Sequence, residues 1–153
     1  MIYRQTKYVK SVGAIILNQE KRVLIVLQKE NHYWEFPKGK VEASDKDEIA
    51  TLKREIFEET GLKNFKIVKG FKNIIRYNFV LKNNFIKKNN IFYLVYVENP
   101  KIQLSEEHLD YKWVSLVAVN RYFKHKSQRI LVYKLREFLG DRVTYGTQVA
   151  PRR

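Results

Sequence analysis

The 153-residue chain contains no cysteine, which excludes disulfide frameworks, thiolate metal centres and cysteine nucleophiles. Any catalysis must draw on carboxylates, His, Lys or a metal ion. Long apolar runs are missing as well: Val12 to Leu17, the longest near the start, is far short of the ~20 residues of a spanning helix and lacks the layout of a signal peptide. A soluble, cytoplasmic protein with no membrane partner is expected. Acidic residues are scarce, with Asp+Glu 16 against Lys+Arg 30, so the formal net charge is +14. Such a field attracts polyanions, which favours nucleotides, RNA and polyphosphates as partners. Genome composition is the alternative source of the abundance of Lys, Ile and Asn, with Lys spread as a solvating surface.

What is present suffices for a core. Hydrophobic residues make up 44% and aromatics 14% of the chain, and a domain of this length buries roughly two thirds of its unfolded surface. The apolar, β-branched runs Ser11 to Leu17 and Arg22 to Leu27 flank Asn18-Gln19-Glu20-Lys21 and predict a hairpin. Trp34, Phe36, Pro37, Gly39 and Val41 then predict a loop on a fixed path. Ser44 is the expected N-cap of a helix over about Asp45 to Thr60 that Gly61 ends. Strands are expected at Lys66 to Phe71, Ile74 to Leu81 and Ile91 to Val97, with Lys82 to Asn90 as a mobile hairpin loop. A strand at Tyr111 to Val114 and a helix from about Ser127 to Leu139, ended by Gly140, complete the expected α/β fold, a mixed β-sheet flanked by helices. No repeat or internal boundary is visible, so residues 1–140 are expected to form a single domain and 141–153 a basic, poorly ordered tail.

The chemistry concentrates on the first helix. At 100° per residue, Ile49, Leu52 and Ile56 share one flank, while Glu55, Glu58 and Glu59 fall within an arc of about 100° beside it. Like charges at these spacings repel unless a cation compensates. Their hard oxygen ligands suit Mg²⁺ or Mn²⁺ rather than zinc.

The ordered context is Gly39 followed by Arg54-Glu55-Ile56-Phe57-Glu58-Glu59-Thr60-Gly61-Leu62. It closely resembles the Nudix box, a Gly, five residues, a Glu, seven residues, then Arg-Glu-aliphatic-any-Glu-Glu-any-Gly-aliphatic. The nine-residue second half matches at every specified position. One residue is extra between Gly39 and Arg54, so the box's first Glu falls at Asp45 counted from Gly39 or at Lys46 counted back from Arg54. The loop Ala43 to Lys46 is the expected place for it, because inside the helix it would rotate the ligand face by about 100°.

The resemblance implies a Nudix-type α/β/α sandwich and a hydrolase that cleaves a pyrophosphate linkage by attack of water on phosphorus. It implies Mg²⁺ or Mn²⁺ held by Glu55, Glu58, Glu59 and the Lys38 backbone carbonyl, with Gly39, Arg54 and Gly61 structural. Beyond the box the chain looks closest to asymmetrical diadenosine tetraphosphate hydrolases, which yield ATP and AMP. The similarity lies in Tyr33-Trp34 before Pro37-Lys38-Gly39, in Tyr77 and Tyr93, and in Ser105-Glu106-Glu107-His108 leading to Tyr111-Lys112-Trp113. By that analogy Lys38, Tyr77 and Lys87 or Lys88 hold phosphates and Tyr93 stacks on adenine. Tyr33 joins the substrate set, standing where those hydrolases often have His. Glu107 is a further metal ligand or the general base, beside Glu58 and Glu59 as catalytic groups. His108 and His125 are expected at the surface or partly packed, and Trp113 in the core. Trp34-Glu35-Phe36-Pro37 and the basic charge also resemble RNA 5′-pyrophosphohydrolases and decapping-like enzymes, with an RNA 5′ end as the partner. A non-catalytic nucleotide- or RNA-binding module on the same fold is the alternative from another class.

Overall fold

The computed structural model describes residues 3–98 and 100–142. Of the tail expected over 141–153, residues 141–142 belong to the last helix and those from 143 onward lie outside the described residues. Strand β1 (Thr6–Leu17) alternates strictly over its second half, sending Val12, Ala14 and Ile16 to one face and Ile15 and Leu17 to the other. It turns through Asn18, whose Oδ1 accepts from the backbone N–H of Glu20 and of Arg22, both at 3.0 Å. β2 (Arg22–Gln28) follows, so the expected hairpin is present.

The Trp34–Val41 segment is more regular than a loop. β3 (Trp34–Glu35) pairs with β2, and β4 (Lys38–Lys40) pairs with β1 through Val12↔Gly39. Helix α1 (Glu48–Thr60) starts later than expected, and its cap is Asp47, which accepts from the Ala50 N–H at 2.8 Å, rather than Ser44. The reason is a turn ahead of it: Asp45 N–H donates to the Glu42 carbonyl, and Glu42 N–H donates back to the Asp45 carboxylate. The extra residue of the box is thus absorbed before the helix, and the carboxylate face keeps its phase. Gly61 closes α1 in the left-handed conformation at φ 77°, its N–H donating to the Phe57 carbonyl.

The strands after α1 are longer than expected. β5 (Lys66–Leu81) is one element with a register irregularity between Ile67 and Lys72. β6 (Asn84–Tyr96) takes in most of the stretch expected as a mobile loop. Only Lys82 and Asn83 form the turn, with φ of 50° and 65°, the left-handed pair that a two-residue hairpin requires. The polar stretch is held as a strand because β5 pairs it on one side and the first half of β1, running parallel, pairs it on the other. β7 (His108–Ser115) pairs antiparallel with β2 and extends the expected strand at its start.

A 3₁₀ turn (Val119–Arg121) leads to α2 (Lys126–Arg142), which runs through Gly140 instead of ending there. A glycine inside a helix costs only about 1 kcal/mol. Phe138, edge-on to Phe71 at 5.4 Å, anchors that last stretch.

The sheet order β3-β2-β1-β6-β5, with β4 on β1 and β7 on β2, places α1 and α2 on opposite faces. Leu52 and Ile56 of α1 bury with Val12, Ala14, Ile16 and Leu24. Leu131, Val132 and Leu135 of α2 bury with Ile15, Ile25, Phe92 and Leu94. Each fully buried aliphatic side chain contributes about 1.5–3 kcal/mol. This is the α/β/α sandwich expected from the sequence. Among the described residues, no helix is long and apolar enough to cross a membrane.

Candidate active site

The carboxylates of α1 are organised by Arg54. Its Nε and Nη2 donate to the two oxygens of Asp45 at 2.9 and 2.8 Å, and Nη2 also donates to the Lys40 carbonyl at 2.9 Å. Nη1 donates to Glu55 Oε2 at 2.8 Å and to Glu58 Oε1 at 3.2 Å. Of the two candidates for the box's first carboxylate, Asp45 is therefore the one that meets Arg54. The paired guanidinium holds the Asp45 carboxyl well below the usual carboxylate range. Gly39 is the close-approach position: a Cβ there would overlap the Glu55 carboxylate, so any other residue would displace that carboxylate from its place beside β4.

Glu55 and Glu59 are buried, whereas Glu58 is exposed. Burial raises the pKa of Glu55 against the pull of Arg54. Glu59 is pushed up to about 9 by burial first, then by the negative charges of Glu55, Glu35 and Glu107, with Lys38 opposing. Its Oε1 has no hydrogen-bond partner. His108 Nε2, also unpartnered, lies 3.8 Å from it. Burial lowers the pKa of His108, whose Nδ1 is 3.1 Å from Ser105 Oγ. His108 is thus fully buried beside the carboxylates, not at the surface, because β7 turns it inward against α1.

Among the described residues, no three His, Asp or Glu side chains converge as placed at the spacing of a metal site. The Arg54 guanidinium bridges Glu55 and Glu58, and Glu59 points past it toward His108. The donor chemistry nevertheless fits a hard divalent cation. Two buried carboxyls are raised, by burial first and then by neighbouring carboxylates, one carboxylate oxygen is orphaned, and the carboxylates of this face of α1 offer oxygen ligands. Glu107 is exposed at the foot of β7, near enough to raise the pKa of both Glu55 and Glu59.

A cleft of about 670 Å³ opens beside this cluster. Lys38, Glu35, Tyr33, Tyr77 and Lys88 line it, together with Arg76, Asn90 and His125. Tyr77 and Lys88 are direct cross-strand partners, so they share a face. Lys88 is half-buried, and its pKa is lowered by burial and then by Lys38. Lys87, one residue away, projects from the other face, 5.9 Å from the centroid of Tyr8. Tyr93 has the parity of Lys87 and does not join the cleft. Its hydroxyl donates to Glu48 at 2.6 Å, and Lys72 lies 5.7 Å from its ring. Tyr33 stands at the rim, edge-on to His125 at 5.3 Å and under Lys124 at 4.9 Å. Trp113 packs partly buried on the α1 side of the sheet.

Sequence reasoning passes over Glu35 and misplaces His108. Glu35 is buried, accepts from Gln28 Nε2 and lies 3.6 Å from Lys38 Nζ, so it joins the cleft to the carboxylate cluster. Its signal was the β3 position next to the Pro37-Lys38-Gly39 turn.

The NUDIX domain model matches residues 7–135. The chain belongs to the Nudix family. Among solved structures, this Nudix protein is similar to the Ap4A hydrolase of C. elegans in a binary complex, with TM-score 0.76 and 26% identity over 87% of this chain and 98% of that one. It is also similar to the MutT protein from Methanosarcina mazei Go1, with TM-score 0.64 and 29% identity over 85% of this chain and 93% of that one. An RNA pyrophosphohydrolase of Pelagibacter ubique (strain HTCC1062) is 32% identical over 60 residues, 38% of this chain and 37% of that relative, so the match spans little more than a third of the relative's length. Family membership and these neighbours support a pyrophosphohydrolase acting on nucleoside polyphosphates.

Proposed function

We propose that this Nudix hydrolase cleaves diadenosine tetraphosphate asymmetrically into ATP and AMP. The observation that carries the reading is a cationic cleft, with Lys38, Lys88 and Arg76 beside Tyr77 and Tyr33, whose Glu35 and Lys38 also act on the buried Glu59 of α1. Its volume of about 670 Å³ suits a nucleoside polyphosphate, and the similarity to the C. elegans Ap4A hydrolase extends over most of both chains.

Glu55, Glu58, Glu59 and the Lys38 carbonyl would hold Mg²⁺ or Mn²⁺. Bound there, the ion supplies polarisation of phosphate oxygens and a lowered pKa for water. Arg54, fixed by Asp45 and the Lys40 carbonyl, keeps Glu55 in its rotamer. Lys38, Lys88 and the Tyr77 hydroxyl donate to phosphate oxygens and set the chain in line for attack. Glu107, exposed and near enough to act on Glu55 and Glu59, accepts the proton of the attacking water. A new O–P bond forms at the phosphorus that becomes AMP, the bridging P–O bond breaks, and ATP leaves with the electron pair.

The test offers diadenosine tetraphosphate and 5′-triphosphorylated RNA separately with Mg²⁺ and separates the products chromatographically. ATP plus AMP in equal amounts supports the reading. Preferential release of pyrophosphate or phosphate from RNA transfers the activity to RNA 5′ ends, the second reading, which the 32% identity to the RNA pyrophosphohydrolase favours. Turnover of neither overturns both.

A further inference from the structure

Alternation along β5 puts Ile75, Tyr77, Phe79 and Leu81 in one file on one face of the sheet. Ile75 packs against the core on the α2 side, whereas Tyr77, Phe79 and Leu81, further along that face, are 41%, 38% and 54% exposed. A single exposed aromatic on a strand needs no explanation. Here the exposed file begins inside the cleft, because Tyr77 and its cross-strand partner Lys88 both line it.

Strand register fixes what lies beside the file. Tyr77 pairs with Lys88, which pairs with Val9 of β1; Phe79 pairs with Ile86, which pairs with Lys7. Directly paired residues share a face, so these two rows lie side by side. They carry two lysines and no carboxylate, and a phosphate chain that passes Lys88 meets no like charge on them. Phe79 stands one pleat, about 7 Å, beyond Tyr77. The two rings already form a stack, their centroids 6.0 Å apart and their planes 27° from parallel. A base laid on Phe79 extends that stack outward from the cleft.

We infer that Phe79 forms the subsite for the second nucleoside of a dinucleoside polyphosphate, its ring stacking on that base while Lys38, Lys88 and Tyr77 hold the phosphates. The inference rests on the reading of the cleft as the polyphosphate site. A dinucleoside polyphosphate carries a base at each end, so a molecule whose phosphates lie on Lys88 and Tyr77 has one base to place beyond them, and the Phe79 ring is the next surface along the file. Stacking accepts every base, because each has a π-face. The subsite therefore selects for the presence of a second nucleoside rather than for its identity.

The experiment uses the full chain and two variants. Phe79→Leu keeps an apolar side chain beside the buried Ile86 but removes the ring, and Phe79→Tyr keeps the ring. Isothermal titration calorimetry in EDTA, so that nothing is cut, measures the binding of diadenosine tetraphosphate and of inorganic tripolyphosphate, which has no base. Phe79→Leu is expected to weaken the dinucleotide about tenfold, the scale of one base stacked on one ring, and tripolyphosphate less than about twofold. Phe79→Tyr is expected to leave both within about twofold of the wild type. Undiminished binding of the dinucleotide by Phe79→Leu overturns the subsite. Equal weakening of the two ligands, or the same loss in Phe79→Tyr, overturns it as well, because either marks a packing role. Turnover of diadenosine tetraphosphate with Mg²⁺ is measured on the wild type in parallel. If the wild type binds tripolyphosphate and cuts the dinucleotide, such a failure belongs to Phe79 alone; if it binds neither ligand, the cleft reading fails and the subsite with it.

Discussion

Glu59 and Glu55 sit buried on one helix face with raised pKa values, and a single guanidinium, Arg54, is shared between Glu55, Glu58 and Asp45. An apolar-core reading does not explain this arrangement, because burying unpaired carboxyls costs stability unless a cation answers them. The same residue-scale logic separates two neighbouring lysines. Lys88 faces Tyr77 in the cleft, while Lys87 lies against Tyr8 on the other side of the sheet. Lys88→Ala is expected to lower kcat/KM for diadenosine tetraphosphate by about tenfold or more, the scale of a lost charge-assisted hydrogen bond. Lys87→Ala is expected to leave it within about twofold. Steady-state kinetics of the two variants side by side check this, and equal losses would remove the facing argument.

At the scale of elements, α1 is pinned at both ends. Gly61 closes it, and Glu48 in its first turn binds Lys10 at 2.7 Å, Lys72 at 3.0 Å and the Tyr93 hydroxyl at 2.6 Å. Hydrogen bonds from Lys10 first, then Tyr93 and Lys72, hold the Glu48 carboxyl down at about 2, against an ordinary value of 4.5. The unfolded chain therefore takes up the proton first as pH falls. The stabilisation is complete above about pH 4.5 and disappears as pH drops towards 2. Glu48→Gln should cost about 1 kcal/mol at pH 7, since solvent screening discounts a partly exposed cluster, and almost nothing near pH 2. Urea unfolding at the two pH values measures it. The β5–β6 turn offers a second prediction. Lys82 and Asn83 both adopt positive φ, so Lys82→Asn/Asn83→Gly is expected to raise stability by about 1 kcal/mol in the same assay.

The α1 carboxylate face and the β1–β2 hairpin follow from 3.6- and 2-residue periodicities and are visible in the chain; of the α2 positions whose spacing predicts a buried side, Ile130, Leu131, Leu135 and Phe138, Leu131 and Leu135 are buried but Ile130 is exposed. Lys82 to Asn90 looked like a loop because Lys and Asn are poor strand formers, yet two flanking strands satisfy its backbone and Asn84, Ile86 and Asn90 turn inward. Parity along β6 would have separated Lys88 from Lys87 and Tyr93, but only once the register against Tyr77 was known. Glu35 and His108 acquire their burial from contacts distant in sequence, which no local pattern encodes.

The whole molecule carries a net charge of +14, and Lys38, Arg76, Lys88 and Lys126 line the cleft. A field of this sign raises the local concentration of polyphosphates and speeds encounter, so kcat/KM should fall as salt is raised while kcat stays nearly constant. The central claim is narrower: the carboxylate face of α1 performs metal-dependent hydrolysis of a nucleoside polyphosphate. The most direct measurement is the rate of diadenosine tetraphosphate hydrolysis with Mg²⁺ for the wild type, for the wild type in excess EDTA and for Glu59→Gln, with circular dichroism confirming that the variant is folded. The account predicts turnover that EDTA abolishes and that Glu59→Gln, folded, reduces by two or more orders of magnitude. Undiminished turnover in EDTA or in folded Glu59→Gln would contradict it.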